Sequence, residues 1–75
     1  FMGKYKKSLN DIDMVLKLES RHFGALIGKG QVYMEMKEYE KAYNSYLESS
    51  YINPMNTDTI YQINKVSKLI KEKTI

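Results

Sequence analysis

Apolar side chains recur every three or four residues along this chain, and that spacing predicts four helices. The helices are expected at about residues 5–18, 22–36, 39–52 and 57–72. No segment alternates apolar and polar residues, as a half-buried β-strand does. The pattern therefore predicts an all-α protein. The apolar faces consist of Tyr5, Leu9, Ile12, Val15 and Leu16; Phe23, Leu26, Ile27, Tyr33 and Met34; Tyr39, Ala42, Tyr43, Tyr46, Leu47 and Ile52; and Ile60, Ile63, Val66, Leu69 and Ile70.

The breaks between these segments carry residues that begin or end helices. Ser20 is predicted to cap the second helix, and Asn56 or Thr57 the fourth. Pro54 is expected to end the third helix, because proline disfavours helical geometry in the residue before it. Asp58 then lies in the first turn of the fourth helix, where a negative charge is favourable. The connections are short, so successive helices are expected to pack antiparallel.

Length and composition limit what the chain can be. Its 75 residues allow one small domain, and the absence of cysteine excludes disulfides and thiolate metal sites. The net charge of +3 comes mainly from lysines dispersed among nine acidic residues, so it does not by itself indicate an acidic partner. No apolar run approaches the roughly 20 residues that span a bilayer, and no membrane span is expected. Both the cytoplasm and the bacterial periplasm remain open as locations.

The chain also repeats itself. Residues 2–10 read MGKYKKSLN and residues 36–44 read MKEYEKAYN, so Met, Tyr, Lys and Asn recur at an offset of 34 residues. This offset is the period of one helix–turn–helix repeat architecture. In such chains each unit buries its apolar face on the next unit, and stacking creates the binding surface.

Residues 23–56 resemble a tetratricopeptide repeat. The signature of that family is a bulky residue followed by Leu, Gly and Tyr in the first helix, then Ala-x-x-x-Phe and a closing proline. Lys29 stands where the family has leucine, which implies that it either snorkels out of the interface or lies at a less buried edge. The resemblance implies repeat-packing roles for Leu26, Gly30, Tyr33, Tyr39, Ala42, Tyr46 and Pro54.

A shift of 34 residues extends the resemblance over nearly the whole chain. It implies a single domain with three parts: the second half of a preceding repeat at 2–20, a complete repeat at 23–56 and a terminal capping helix at 57–75. The phrase RHFGALIGKG is similar to small repeat proteins of alphaproteobacteria. We therefore expect the C-terminal part of a bacterial repeat protein with a solenoid of four helices.

Residues that suggest chemistry are few. Gly24, Gly28, Lys29 and Gly30 do not fit a phosphate loop, because the spacing is short, no Ser or Thr follows the lysine and no strand precedes it. His22 is the single histidine and is interpreted as a surface or capping residue. No nucleophile, base and oxyanion set can be assembled. We expect no enzyme activity, no catalytic residues, no metal and no cofactor.

Nucleic acid is not an expected partner either. Four of the seven tyrosines, namely Tyr5, Tyr33, Tyr39 and Tyr46, fall on packing positions, and the others are not interleaved with arginines. Weak RNA binding through the lysines is a candidate function that ranks below the peptide binding and the self-association described next.

The resemblance implies a scaffold that binds a peptide or protein partner on the concave face lined by first helices. Family members that grip acidic chaperone tails carry Lys, Asn and Arg where this chain has Ile27, Gly28 and Gln31, so that clamp is absent here. The alternative of equal weight is that Tyr61 and the lysines form a solvent-exposed face that binds no partner. The candidate binding residues are Ile27, Gln31, Met34, Glu35, Tyr61, Lys65 and Lys68.

The alternative function is self-association. In a repeat of this type a further helix normally covers the face of the first helix formed by Leu9, Ile12 and Leu16. An uncovered apolar face favours pairing of two copies. The sequence therefore also predicts a homodimer formed through this edge.

Overall fold

Four α-helices follow one another along the chain in the computed structural model, which describes residues 2–74 and the side chains of residues 3–72. They are α1 (Met2–Leu18), α2 (Phe23–Glu35), α3 (Tyr39–Ile52) and α4 (Thr57–Thr74). No strand occurs within the described residues. The prediction of an all-α, four-helix protein is confirmed, although α1 begins at Met2 and α4 extends to Thr74.

Each helix packs on its neighbour in sequence: α1 on α2, α2 on α3, and α3 on α4. The helices form a flat array measuring 38 × 33 × 14 Å between Cα atoms. Short connections at residues 19–22, 36–38 and 53–56 leave no room for a long crossover, so consecutive helices run in opposite directions.

The start of α2 differs from the sequence prediction. His22, rather than Ser20, caps this helix: its Nδ1 accepts a hydrogen bond from the backbone N–H of Ala25 at 3.0 Å. Ser20 lies inside a turn closed by a hydrogen bond from the N–H of His22 to the carbonyl of Glu19 at 3.2 Å. It is therefore too far upstream to reach the first free N–H groups of a helix that begins at Phe23. The capping interpretation of His22 is confirmed.

The other helix ends follow the residues that the sequence offers. Asn56 caps α4, since its Oδ1 accepts from the N–H of Thr59 at 3.0 Å. The third helix ends at Ile52, two residues before Pro54. Both predictions are confirmed.

The end of α2 is closed by two backbone hydrogen bonds. The N–H of Lys37 donates to the carbonyl of Met34 at 3.0 Å, and that of Glu38 donates to Tyr33 at 2.8 Å. This paired arrangement is a Schellman motif. It requires a left-handed residue, and Lys37 fills the position with φ of 62° where glycine is usual. The sharp reversal that follows directs α3 back along α2.

The core lies among α2, α3 and α4. Ala42 and Tyr46 of α3 and Val66 of α4 are almost fully buried, with at most 1% of each residue exposed. No described residue of α1 is fully buried. The half-buried residues around this cluster are Ile27, Tyr33, Met34, Tyr39, Tyr43, Ile63 and Ile70.

Gly30 of α2 lies directly against the ring of Tyr46 of α3. A Cβ atom on Gly30 would lie 2.7 Å from Cε1 and 2.8 Å from Cζ of that ring. The sequence predicts a repeat-packing role for Tyr46, and in the structure its ring fills the space that the glycine leaves between α2 and α3. Burial raises the pKa of the Tyr46 hydroxyl above its ordinary value of 10.0.

Lys29, which departs from the family pattern, joins α2 to α1. Its Nζ lies 3.3 Å from Oδ1 of Asp13, and its side chain is about one quarter exposed. The lysine therefore lies at a partly buried edge and satisfies its charge with a residue of the preceding helix. A partly exposed pair of this kind contributes about 0.2–1 kcal/mol.

The Gly30–Tyr46 contact leads to a paired prediction for two glycines of α2. Gly30→Ala should destabilise the fold by about 1–3 kcal/mol through overpacking. Gly28→Ala should stabilise it by up to about 1 kcal/mol, since alanine favours the helix and the new Cβ would meet Ile12 Cδ1 at an ordinary 3.7 Å. Urea denaturation of both variants measures the difference. Equal stabilisation by the two alanines would mean that the Tyr46 ring does not lie against Gly30.

Candidate functional site

A small cavity lies between the middle of α2 and the first turns of α4. It has a volume of about 220 Å³. Two of the residues predicted to bind a partner, Ile27 and Gln31, line its α2 side. The α4 side is formed by Asn56, Asp58, Thr59 and Gln62.

Helix periodicity explains why these residues meet. Ile27 and Gln31 are one turn apart on α2, and Asp58 and Gln62 are one turn apart on α4, so each pair shares a face. The cap at Asn56 sets where α4 begins. The burial of Val66 against α3 then holds this end of α4 beside α2.

Thr59 is the most unusual residue of the cavity. It is 1% exposed, yet its hydroxyl has no hydrogen-bond partner among the described residues. A helical threonine often donates to the carbonyl four residues earlier. Here that residue is Met55, which precedes α4, and the Thr59 hydroxyl makes no such hydrogen bond. An unpaired hydroxyl is thus held at the wall of the cavity.

The remaining predicted binding residues lie outside this cavity. Met34 is half-buried and packs against the core cluster, and Glu35 is exposed at the end of α2. Tyr61, Lys65 and Lys68 lie on the exposed surface of α4, with Tyr61 64% exposed. The structure therefore brings together Ile27 and Gln31 with α4, while the other five residues flank the cavity or lie apart from it.

Four lining residues were not among the predicted binding residues. Asn56 and Asp58 were interpreted only through their effects on the helix terminus, and Thr59 and Gln62 lie between the apolar positions that define the buried face. The signal that could have identified them is a polar stripe at spacings of three and four residues in the first turns of α4.

A second depression lies between α1 and α2 and is mainly apolar. It has a volume of about 320 Å³ and is lined by Asp11, Ile12, Val15, His22, Gly24, Ala25 and Gly28. Leu9, Ile12 and Leu16, the residues predicted to form an incompletely covered face, are half-buried. Among the described side chains of α1, the most exposed apolar ones are Leu18 at 88% and Met14 at 64%. Exposed apolar surface on α1 therefore extends beyond these three residues to Met14 and Leu18.

Other kinds of site find little support in the described part of the chain. The only histidine is engaged as a helix cap. No group of three His, Cys, Asp or Glu residues is positioned to hold a metal within the described residues. The glycine-rich stretch that was tested as a phosphate loop lies inside α2. Among the described helices none is long and apolar enough to cross a membrane.

The sequential packing of four helices and the 34-residue period define a helical-repeat protein. The chain is 55% identical over 31 residues to a TPR repeat-containing protein from the alphaproteobacterium Rhizobium etli. The match covers 41% of this chain and 15% of the relative. No family model and no solved structure match the chain. This similarity supports the predicted resemblance to a tetratricopeptide-type repeat, and repeats of that type serve in general as scaffolds for protein–protein interaction.

The unpaired hydroxyl of Thr59 can be tested by a nearly isosteric change. Thr59→Val should stabilise the protein by about 1–2 kcal/mol, because it removes a buried polar group that lacks a partner. Chemical denaturation gives the change in the free energy of unfolding. Thr57→Val, at an exposed position of the same helix, is the control and should have little effect. A loss of stability in Thr59→Val would show that the hydroxyl is hydrogen-bonded in solution.

Proposed function

We propose that this chain is a non-catalytic scaffold that binds a peptide segment of a partner protein on the surface shared by α2 and α4. The cavity that joins Ile27 and Gln31 to the start of α4 carries this proposal. It provides a concave feature on the surface shared by α2 and α4, and peptide ligands depend on such features for shape complementarity.

The chemistry of this surface suits a peptide. Gln31, Asn56 and Gln62 carry side-chain amides, each of which both donates and accepts hydrogen bonds. These amides are able to form hydrogen bonds with the N–H and C=O groups of an extended peptide main chain. Tyr61 adds an exposed ring beside them, and tyrosine supplies large contact area at low entropic cost.

The resemblance to the family restricts the mode of binding. The α2 positions that form the carboxylate clamp in chaperone-binding relatives hold Ile27, Gly28 and Gln31 here. None of these three side chains carries a positive charge. The ligand proposed for this surface is therefore an internal peptide segment and is not anchored on α2 by a terminal carboxylate.

Titration of ¹⁵N-labelled protein with a broad peptide library tests the proposal. Binding peptides should shift the backbone amide signals of Ile27, Gln31 and Lys65. Tyr61→Ala should weaken binding by about tenfold, as expected for an aromatic contact in an interface. Tyr51→Ala, which removes an exposed tyrosine from α3, serves as the matched control. A library that perturbs no groove amide would contradict the proposal.

The exposed edge of α1 favours a second candidate function, which is pairing of two copies. Met14 and Leu18 are one turn apart on α1 and largely exposed, and the apolar depression against α2 lies on the same helix. Exposed apolar patches are commonly covered by a partner.

Sedimentation velocity at high micromolar concentration tests this pairing. The wild-type protein should sediment as a dimer, and the double variant Met14→Glu/Leu18→Glu should be monomeric because it places charges in the apolar contact. The matched control is Tyr51→Glu, which changes an exposed aromatic residue of α3. A wild-type protein that stays monomeric at this concentration would rule out self-association through α1.

A further inference from the structure

We propose that the cavity between α2 and α4 is a specificity pocket for one basic side chain, an arginine or lysine, of the bound peptide. This inference rests on the proposed peptide-binding function and adds the chemical class of the residue that is recognised. The juxtaposition that carries it is one carboxylate, three side-chain amides and one unpaired hydroxyl around a single small cavity.

The lining of the cavity favours a cation. Asp58 is the only charged residue among the six, and no lysine or arginine lines the cavity. The N-terminal end of α4 carries a partial positive charge of about one half, which the full negative charge of Asp58 exceeds. An anionic group would therefore meet net repulsion, whereas a guanidinium or ammonium group would be attracted.

The other groups supply acceptors for the donors of such a side chain. Arginine carries five N–H donors and lysine three, and neither accepts a hydrogen bond. The amide oxygens of Gln31 and Gln62 and the hydroxyl oxygen of Thr59 are acceptors at the same cavity. The Thr59 oxygen has no partner among the described residues but is buried, so its side chain has to rotate before it can accept one of these N–H groups.

The size of the cavity also fits a single side chain. Its volume of about 220 Å³ lies below the range of about 300–1,000 Å³ that accommodates drug-sized ligands. Ile27, half-buried on the α2 side, offers apolar contact to the methylene stem of an arginine or lysine.

Charges along α4 determine how far the acidic residues of the bound peptide lie from its basic residue. Lys65 lies seven residues after Asp58, on the same face of α4, and Lys68 lies ten residues after it at the edge of that face; both lysines are exposed. At 1.5 Å per residue, these distances are about 10 and 15 Å along the helix axis. An extended peptide covers them in about three to five residues. The favoured ligand therefore has a basic residue followed or preceded by acidic residues at that separation.

Small probes test the pocket by itself. N-acetylargininamide should shift the backbone amide signals of Thr59 and Gln62 in ¹⁵N spectra of the whole chain, and N-acetylnorleucinamide should not. Asp58→Asn should abolish the shifts, whereas Asp58→Glu, which keeps the charge, should retain them. Glu48→Gln on the exposed surface of α3 is the matched control for removal of a carboxylate. Circular dichroism shows whether each variant remains helical.

Peptides then separate this inference from the proposed function. The blocked peptide Arg-Ala-Ala-Ala-Glu-Glu should bind about tenfold more tightly than its norleucine analogue, and Asp58→Asn should remove that difference. If both peptides shift the Ile27 and Lys65 amides with equal affinity, the specificity pocket is overturned and peptide binding is upheld. If no peptide binds but N-acetylargininamide still acts through Asp58, the pocket is upheld and the peptide groove is overturned. An absence of both responses overturns the pocket.

Discussion

The ring of Tyr46 seated against Gly30 is the contact on which the rest of the array depends. Glycine at this position lets α2 and α3 approach until an aromatic ring fills the space between them. The same ring lies in one cluster with Ala42 and Val66, so it also secures α4 to α3. Three of the four helices are thus joined through one side chain that is 99% buried.

This arrangement explains where the candidate site lies. Once Val66 is held against α3, the first turns of α4 are carried to the middle of α2. The cap at Asn56 then fixes the start of the helix, which places Thr59 and Gln62 on the cavity wall. The cavity is a consequence of core packing, although none of the three core residues lines it.

Much of this fold could be predicted from the sequence, because helix periodicity and the 34-residue offset are properties of spacing alone. The cap of α2 could not, since Ser20 and His22 are both acceptable capping residues and only the turn at 19–22 decides between them. For a similar reason, only some of the residues that line the cavity could be predicted from the sequence. Ile27 and Gln31 were identified from their place on α2, whereas Thr59 is a polar residue whose burial depends on how α4 meets α2.

The two surfaces proposed for binding use different parts of α2. The depression beside α1 is lined by Gly24, Ala25 and Gly28, and the cavity beside α4 by Ile27 and Gln31. The two proposed surfaces share no lining residue. Their chemistry also differs, because one is mainly apolar and the other combines a carboxylate with amides and a hydroxyl. Pairing of two copies through α1 would therefore leave two peptide sites accessible, one on each copy, and would raise the avidity for a partner that carries two suitable segments.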